Sequence, residues 1–178
     1  MDASGDLVPL FEQDRSQWDR RLIEEGLGWL TLASEGAEAS DYHLEAAVAA
    51  VHARADRLED TDWTRIVWLY DMLMMIRPGP VVALNRAIAI AHRDGPERGL
   101  SAIRAIEEAD RLAAYPFLPA ALGELELRRN DPVAARGHFC DALGLARSPA
   151  ERRFYQRRIA VCETSTVLPS PIRERGRG

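Results

Sequence analysis

Residues 116–151 read PFLPAALGELELRRNDPVAARGHFCDALGLARSPAE, and this stretch decides the fold. Pro116, Pro132 and Pro149 each open an apolar periodic run. Proline suits the first position of a helix, because the N–H it lacks has no intrahelical partner there. Ser148-Pro149-Ala150-Glu151 also reads as a capping box, with Ser148 accepting from the backbone and Glu151 reaching back. Upstream, Gly79-Pro80 and Gly95-Pro96 repeat the signal, so successive prolines are 16, 20, 16 and 17 residues apart. Two helices per unit give repeats of 36 and 33 residues, the range of helical solenoids. Composition agrees: 27 Ala and 20 Leu stand against 23 Val, Ile and Thr together, which favours helix over sheet.

The two units align with each other. Asp131-Pro132 falls on Gly95-Pro96, Ala135 on Gly99, Phe139 on Ile103, Ala142 on Ile106 and Gly123 on Ala87. Small residues recur where two helices must approach closely, and large apolar ones recur where they fill the gap. One such unit cannot bury its apolar face alone, so units stack. The pattern resembles the tetratricopeptide (TPR) repeat: Leu122-Gly123 matches its Leu-Gly pair, and Ala135, Phe139 and Ala142-Leu143 match its Ala, aromatic and Ala-Leu positions. Glu126 stands where that family has an aromatic residue, and the linker Asp110 to Tyr115 is longer than the family's.

The front half is helical as well. Ser16 to Asp19 signals a cap, followed by the stripe Trp18, Leu22, Gly26, Trp29, Leu30, Ala33, with Gly36 as the stop. In the next helix, Leu44, Ala47, Val48, Val51 and Ala55 form one face, and Ala46, Ala49, Ala50 and Ala53 form another. That pattern predicts a helix held between neighbours. Asp62 caps a third, with the stripe Trp63, Ile66, Val67, Tyr70, Leu73, Met74. The expectation is an all-α protein, a right-handed α-solenoid of about eight helices in TPR-like pairs. The helices are predicted over 16–34, 41–57, 62–76, 80–94, 96–110, 116–129, 132–146 and 149–163. Residues 1–14 read as a lead-in loop and 164–178 as a disordered tail, with the helical domain over 15–163 between them.

Charge argues against a nucleic-acid binder. All 23 basic residues are Arg, and 8 of them lie with 3 Glu in residues 147–178. The first 146 residues therefore carry 15 Arg against 25 acids, a body that repels phosphate on average. Arg152, Arg153, Arg157 and Arg158 share the last helix and are the nucleic-acid candidates; pairing with the acidic body is the competing reading, and the one preferred. No HExxH, glycine-rich phosphate loop or GxSxG is present, and His43, His52, His92 and His138 show no ligand spacing. No enzyme, cofactor or metal is expected. Cys140 and Cys162 read as buried thiols, and Trp18, Trp29, Trp63 and Trp68 as core. No apolar run approaches the roughly 18 residues of a membrane span, and no signal peptide opens the chain, so the expected location is cytoplasmic.

Four ordered segments carry a closer resemblance: Asp14 to Asp19, Asp41 to Ala53, Asp62-Trp63 through Leu69-Tyr70, and Gly79 to Ala87. From about Gly5 to Glu163 the chain resembles the C-terminal, TPR-like extension of a group of extracytoplasmic-function RNA polymerase sigma factors. Segments matching the core-binding and promoter-reading regions of that group are not found here, so the resemblance implies a fragment of a longer protein. It divides the domain into family-specific helices over 15–78 and TPR-like repeats over 79–163. It implies a regulatory protein-interaction domain, acting in transcription initiation through sigma regions, core polymerase or a peptide in a concave groove. Asn85, Arg86, Tyr42 and Tyr70 are the candidate contacts on the concave face: an amide binds peptide backbone, a guanidinium binds carboxylate and a phenol stacks. The alternatives are that Asn85 bonds a neighbouring turn, that Arg86 pairs with an acid between helices, and that Tyr42 and Tyr70 pack with their hydroxyls at the edge. Arg15 and Asp19 are read as a cap or ion pair. The rival functions are a free-standing TPR adaptor and an enzyme with an interhelical site.

Overall fold

The computed structural model describes residues 8–35 and 40–167, with side chains to Ser165. Among the described residues eight α-helices follow one another: α1 Arg20–Ala33, α2 Asp41–Arg54, α3 Trp63–Ile76, α4 Pro80–Asp94, α5 Pro96–Arg104, α6 Phe117–Arg128, α7 Pro132–Leu145 and α8 Pro149–Val167. Short 3-10 turns at Leu10–Glu12, Arg15–Gln17, Leu58–Asp60 and Ala109–Leu112 join or precede them. No strand occurs among the described residues. Each helix packs on the next in sequence, and α4 also meets α6.

The punctuation residues act as their chemistry requires. Pro80, Pro96, Pro132 and Pro149 occupy first helical positions, while Pro116 sits one residue before α6. Asp19, Asp62 and Asp131 side chains accept from the N–H groups of Leu22, Arg65 and Ala134 at 3.1, 2.8 and 3.0 Å. Ser148 Oγ accepts from the Glu151 N–H at 3.1 Å, but the Glu151 carboxylate takes the N–H of Arg147, not that of Ser148. A further box, absent from the sequence reading, lies at α2: His43 Nδ1 accepts from the Ser40 N–H at 3.1 Å. Between α4 and α5 the chain reverses at Gly95, whose φ of +97° is in the range glycine adopts without a Cβ clash.

Three apolar clusters succeed one another along the chain. Val48, Ile66, Val67, Leu69 and Ala89 join α2, α3 and α4. Leu84, Ala87, Ala91, Leu100, Ile103, Leu112 and Leu125 join α4, α5 and α6. Ala135, Phe139, Ala142, Phe154, Tyr155 and Cys162 join α7 and α8. The internal alignment is visible in the packing: Gly99 and Ala135 are both buried, as are Ile103 and Phe139, and Ala87 and Gly123. A Cβ added at Gly123 would stand 2.8 Å from Phe139 Cζ, so the ring of α7 lies directly on the backbone of α6.

Several expectations need correction. Helix α1 buries no residue; Leu22, Trp29 and Leu32 are 56%, 65% and 57% exposed. Its stripe is amphipathic, yet among the described residues α1 packs mainly on α2, so only part of that face is used. Trp68 is also exposed, with its ring 4.1 Å from the Arg65 guanidinium. Of the predicted second face of α2, Ala46 and Ala49 are exposed while Ala50 is buried, and α2 meets α3 through Val48. Cys140 is exposed; Cys162 alone is buried. Helix α5 stops at Arg104, six residues early, before Glu108 enters the left-handed region at φ 53°. Helix α8 runs to Val167, four residues past its predicted end at 163. Gly36, residues 1–7 of the lead-in and residues 168–178 of the tail lie outside the described residues.

Candidate functional site

Alternate helices α4, α6 and α8 line one trough. The face of α4 carries Asn85, Ile88 and His92, spaced i, i+3 and i+7. That of α6 carries Phe117, Ala121, Glu124 and Arg128, and that of α8 carries Glu151, Phe154 and Tyr155. The cavity among them holds about 350 Å³. A second cavity of about 140 Å³ adjoins it on the α3 side, lined by His52, Trp63, Ile66 and Tyr70, and shares Asn85, Ile88 and His92. No residue of α5 or α7 lines either cavity.

The polar groups of the trough are few and tied to the frame. Arg158 of α8 pairs with Glu124 of α6, and its Nη1 lies 3.5 Å from Glu12 Oε1. Burial pushes the Glu124 carboxyl above its ordinary range, and the Arg158 charge pulls the other way. Glu124 Oε1 and Arg158 Nε are buried without a hydrogen-bond partner among the described residues. Arg128 Nη2 donates to Ala91 O at 2.9 Å, closing a free carbonyl near the end of α4. Tyr155 is 2% exposed, and burial pushes its hydroxyl up to about 12.

Aromatic stacking fixes the junction of the two cavities. The His92 ring lies flat on Trp63, centroids 4.0 Å apart at 8°, and His52 meets Trp63 edge-on at 5.4 Å. Burial, helped by the charges of Arg128 and His52, lowers the His92 pKa from 6.5 to about 4. His52 is lowered too, by burial and by Arg15. An unfolded chain would protonate His92 near 6.5, whereas the folded one resists until about 4, so the unfolded state binds more protons across that interval. Stability is therefore full above 6.5 and falls as pH drops toward 4. Urea midpoints at pH 7.5 and 5 should show the fall, and His92→Phe, which keeps the ring stack, should lessen it. Equal falls in both proteins would refute this assignment.

The lead-in is held against the same frame. Arg15, only 3% exposed, places Nη1 3.1, 3.2 and 3.2 Å from the carbonyls of His52, Ala55 and Arg57 and 3.0 Å from Thr61 Oγ1. Its charge thus sits at the C-terminal end of α2, where helix carbonyls lack partners. Pro9 and Phe11 line the larger cavity, and Leu10 and Phe11 the smaller.

The structure brings Asn85 and Tyr70 together, since both line the smaller cavity, and it separates the other two concave candidates from them. Arg86, one residue on, points about 100° around the helix and pairs with Asp71 of α3 at 2.5 Å. Tyr42 is 74% exposed in the first turn of α2 and lines no part of the trough. The four arginines of α8 are likewise divided: Arg152, Arg153 and Arg157 are exposed, while Arg158 turns inward to Glu124. They do not form one basic face. Phe11, His92, Glu124 and Phe117 are trough residues the sequence reading missed. No group of three or more His, Cys, Asp or Glu able to hold a metal occurs among the described residues, and no described helix is long and apolar enough to cross a membrane.

Fold and site together define an all-helical protein with a largely apolar trough whose α6 wall carries Glu124, paired with Arg158. No family model matches the chain, and no solved structure matches it. It is similar to an uncharacterized protein of Rhizobium meliloti (strain 1021), with 37% identity over 168 residues. The match covers 93% of this chain but 39% of that protein, so the chain spans about two fifths of its relative's length.

Proposed function

We propose that this chain is a protein-binding module, a right-handed solenoid of TPR-like helix pairs whose concave side takes a segment of another protein. The observation that carries this reading is the alternation along the trough. From α4 onward, helices α4, α6 and α8 line the larger cavity and α5 and α7 do not, as first helices of successive pairs line the inner side of a solenoid; α3 joins α4 only at the smaller cavity. The contact between α4 and α6 fits the same pairing. The lining is apolar and aromatic with a few fixed polar groups, which suits an extended segment or a helix.

The four ordered motifs support a parent of the sigma-factor type. In that setting the module modulates transcription initiation in the cytoplasm by holding sigma regions or core polymerase, and it does not itself read promoter DNA. Its similarity to a much longer protein is compatible with a module joined to other regions. A partner that binds one state of the transcription machinery better than another shifts it by that difference in affinity.

The test is capture of purified core RNA polymerase and of isolated core-binding and promoter-reading sigma regions by the immobilised chain. At least one should be retained. Phe117→Glu, at a trough residue 46% exposed and so safe for folding, should weaken retention at least tenfold. If neither polymerase nor sigma regions are retained, the transcription reading falls and the free-standing adaptor takes its place.

A further inference from the structure

We infer that the trough recognises an aromatic residue followed by a carboxylate, and that Phe11-Glu12 of the chain's own lead-in is a built-in competitor for that site. The inference deepens the reading of the trough as a protein-binding surface and depends on it.

The lead-in is shaped as a small, self-closed knob. The Glu12 N–H donates to Pro9 O at 2.9 Å, and Gln13 Nε2 donates to Val8 O at 3.1 Å, so the turn Leu10–Glu12 is closed at both levels. This knob is seated in the trough. Phe11 lines both cavities at once, beside Asn85, Ile88 and His92. Glu12 reaches Arg158, the partner of the trough residue Glu124, at 3.5 Å. Two neighbouring residues thus present an apolar ring and an anion to complementary features of the surface.

The seating is incomplete, which makes displacement feasible. Phe11 is 38% exposed and Leu10 40%, and the turn buries no residue. The Glu12 contact is long for an ion pair, and Arg158 Nε has no hydrogen-bond partner among the described residues. A cavity of about 350 Å³ remains beside Phe11, walled by Phe117, Phe154 and Tyr155. Arg15, by contrast, is buried and fixed to the end of α2, so the knob hangs from a firm anchor four residues away. A partner segment with the same aromatic-acid pair would fill the cavity more fully. The tethered copy sets the threshold it must exceed, because a segment on a short tether competes at a high effective concentration.

The experiment uses a fluorescein-labelled peptide copying residues 8–13, VPLFEQ, and fluorescence polarisation against the whole chain and a Phe11→Ala/Glu12→Ala variant. Both substitutions are at exposed positions, and circular dichroism checks that the helices are retained. The peptide should bind the variant at least tenfold more tightly than the unaltered chain. A peptide with Ala in place of the Phe and the Glu should bind neither. Adding Phe117→Glu to the variant should abolish binding. Equal affinity for both proteins, or no binding to the variant, overturns the inference. Peptide binding without capture of polymerase or sigma regions leaves the inference standing and refutes the transcription reading alone.

Discussion

Phe139→Ala is expected to cost about 4 kcal/mol, the middle of the range for aromatic truncations in cores. The ring is fully buried among Ala135, Ala142, Phe154 and Tyr155. Its edge rests on the backbone at Gly123, where a Cβ would come within 2.8 Å. The void left by the ring cannot close cheaply. Its far wall is helix backbone, its near walls are alanines, and Arg158 lies 5.7 Å from the ring, held in place by its pairing with Glu124. Collapse would mean moving α6 toward α7 as a rigid body and pulling Glu124 and Phe117 out of line with the trough. In a chain of helices that contact mainly their sequence neighbours, the loss should also be local. Amides of α6, α7 and α8 should lose exchange protection while those of α3 keep most of theirs. A stability loss under about 1 kcal/mol by urea titration, or uniform loss of protection along the chain, would contradict this account.

What the sequence made legible follows from which signals are local. Proline at a helix start needs no tertiary context, so Pro80, Pro96, Pro132 and Pro149 located four helix starts directly. The end of α5 carries no such signal: it stops at an Ala105 cap with no glycine or proline, while the apolar spacing runs on through Ile106. The stripe of α1 shows the other limit: periodicity reveals that a face is apolar, not how much of it a neighbour covers. Trp29 and Leu22 were read as core on that ground and are exposed. At the trough, Asn85 was found because amides on first helices of repeats are candidates for peptide contact. Arg86 was drawn in with it although one residue turns the side chain well away, toward Asp71. His92 and Glu124 were legible in principle. Asn85, Ile88 and His92, and Phe117, Ala121, Glu124 and Arg128, each follow i, i+3/i+4, i+7 spacing with polar groups set among apolar ones. Core stripes share that spacing, so only the fold tells a half-open face from a closed one. Phe11 carried no periodic signal, because a 3-10 turn of three residues is too short to have one.

Gly99→Ala should destabilise the chain by about 3 kcal/mol, even though alanine is favoured over glycine by about 1 kcal/mol inside a helix. The sign is set by α4. An ideal Cβ at residue 99 lies 2.3 Å from Ala91 Cβ and 3.0 Å from Ala91 Cα, with Leu125 Cδ1 at 3.1 Å. Carbon atoms in favourable contact are about 3.5–4.0 Å apart, so α4 and α5 must separate by more than 1 Å or unfold locally. Ala91 is fully buried and its neighbour is backbone, so no rotamer change relieves the overlap. Ala91→Gly alone should cost about 2 kcal/mol, from helix propensity and the lost methyl. In the double variant the added methyl at 99 occupies the space vacated at 91. The two costs should then fall short of additivity by about 2 kcal/mol, the mark of a direct contact. The consequence reaches the trough, because Ala91 is one residue from His92 and its carbonyl accepts from Arg128. Gly99→Ala should therefore also loosen the His92–Trp63 stack, read as increased Trp fluorescence quenching by iodide, and the second substitution should restore it. Strict additivity in urea titrations, with quenching unchanged in the single variant, would show that the two helices are not in contact at these residues.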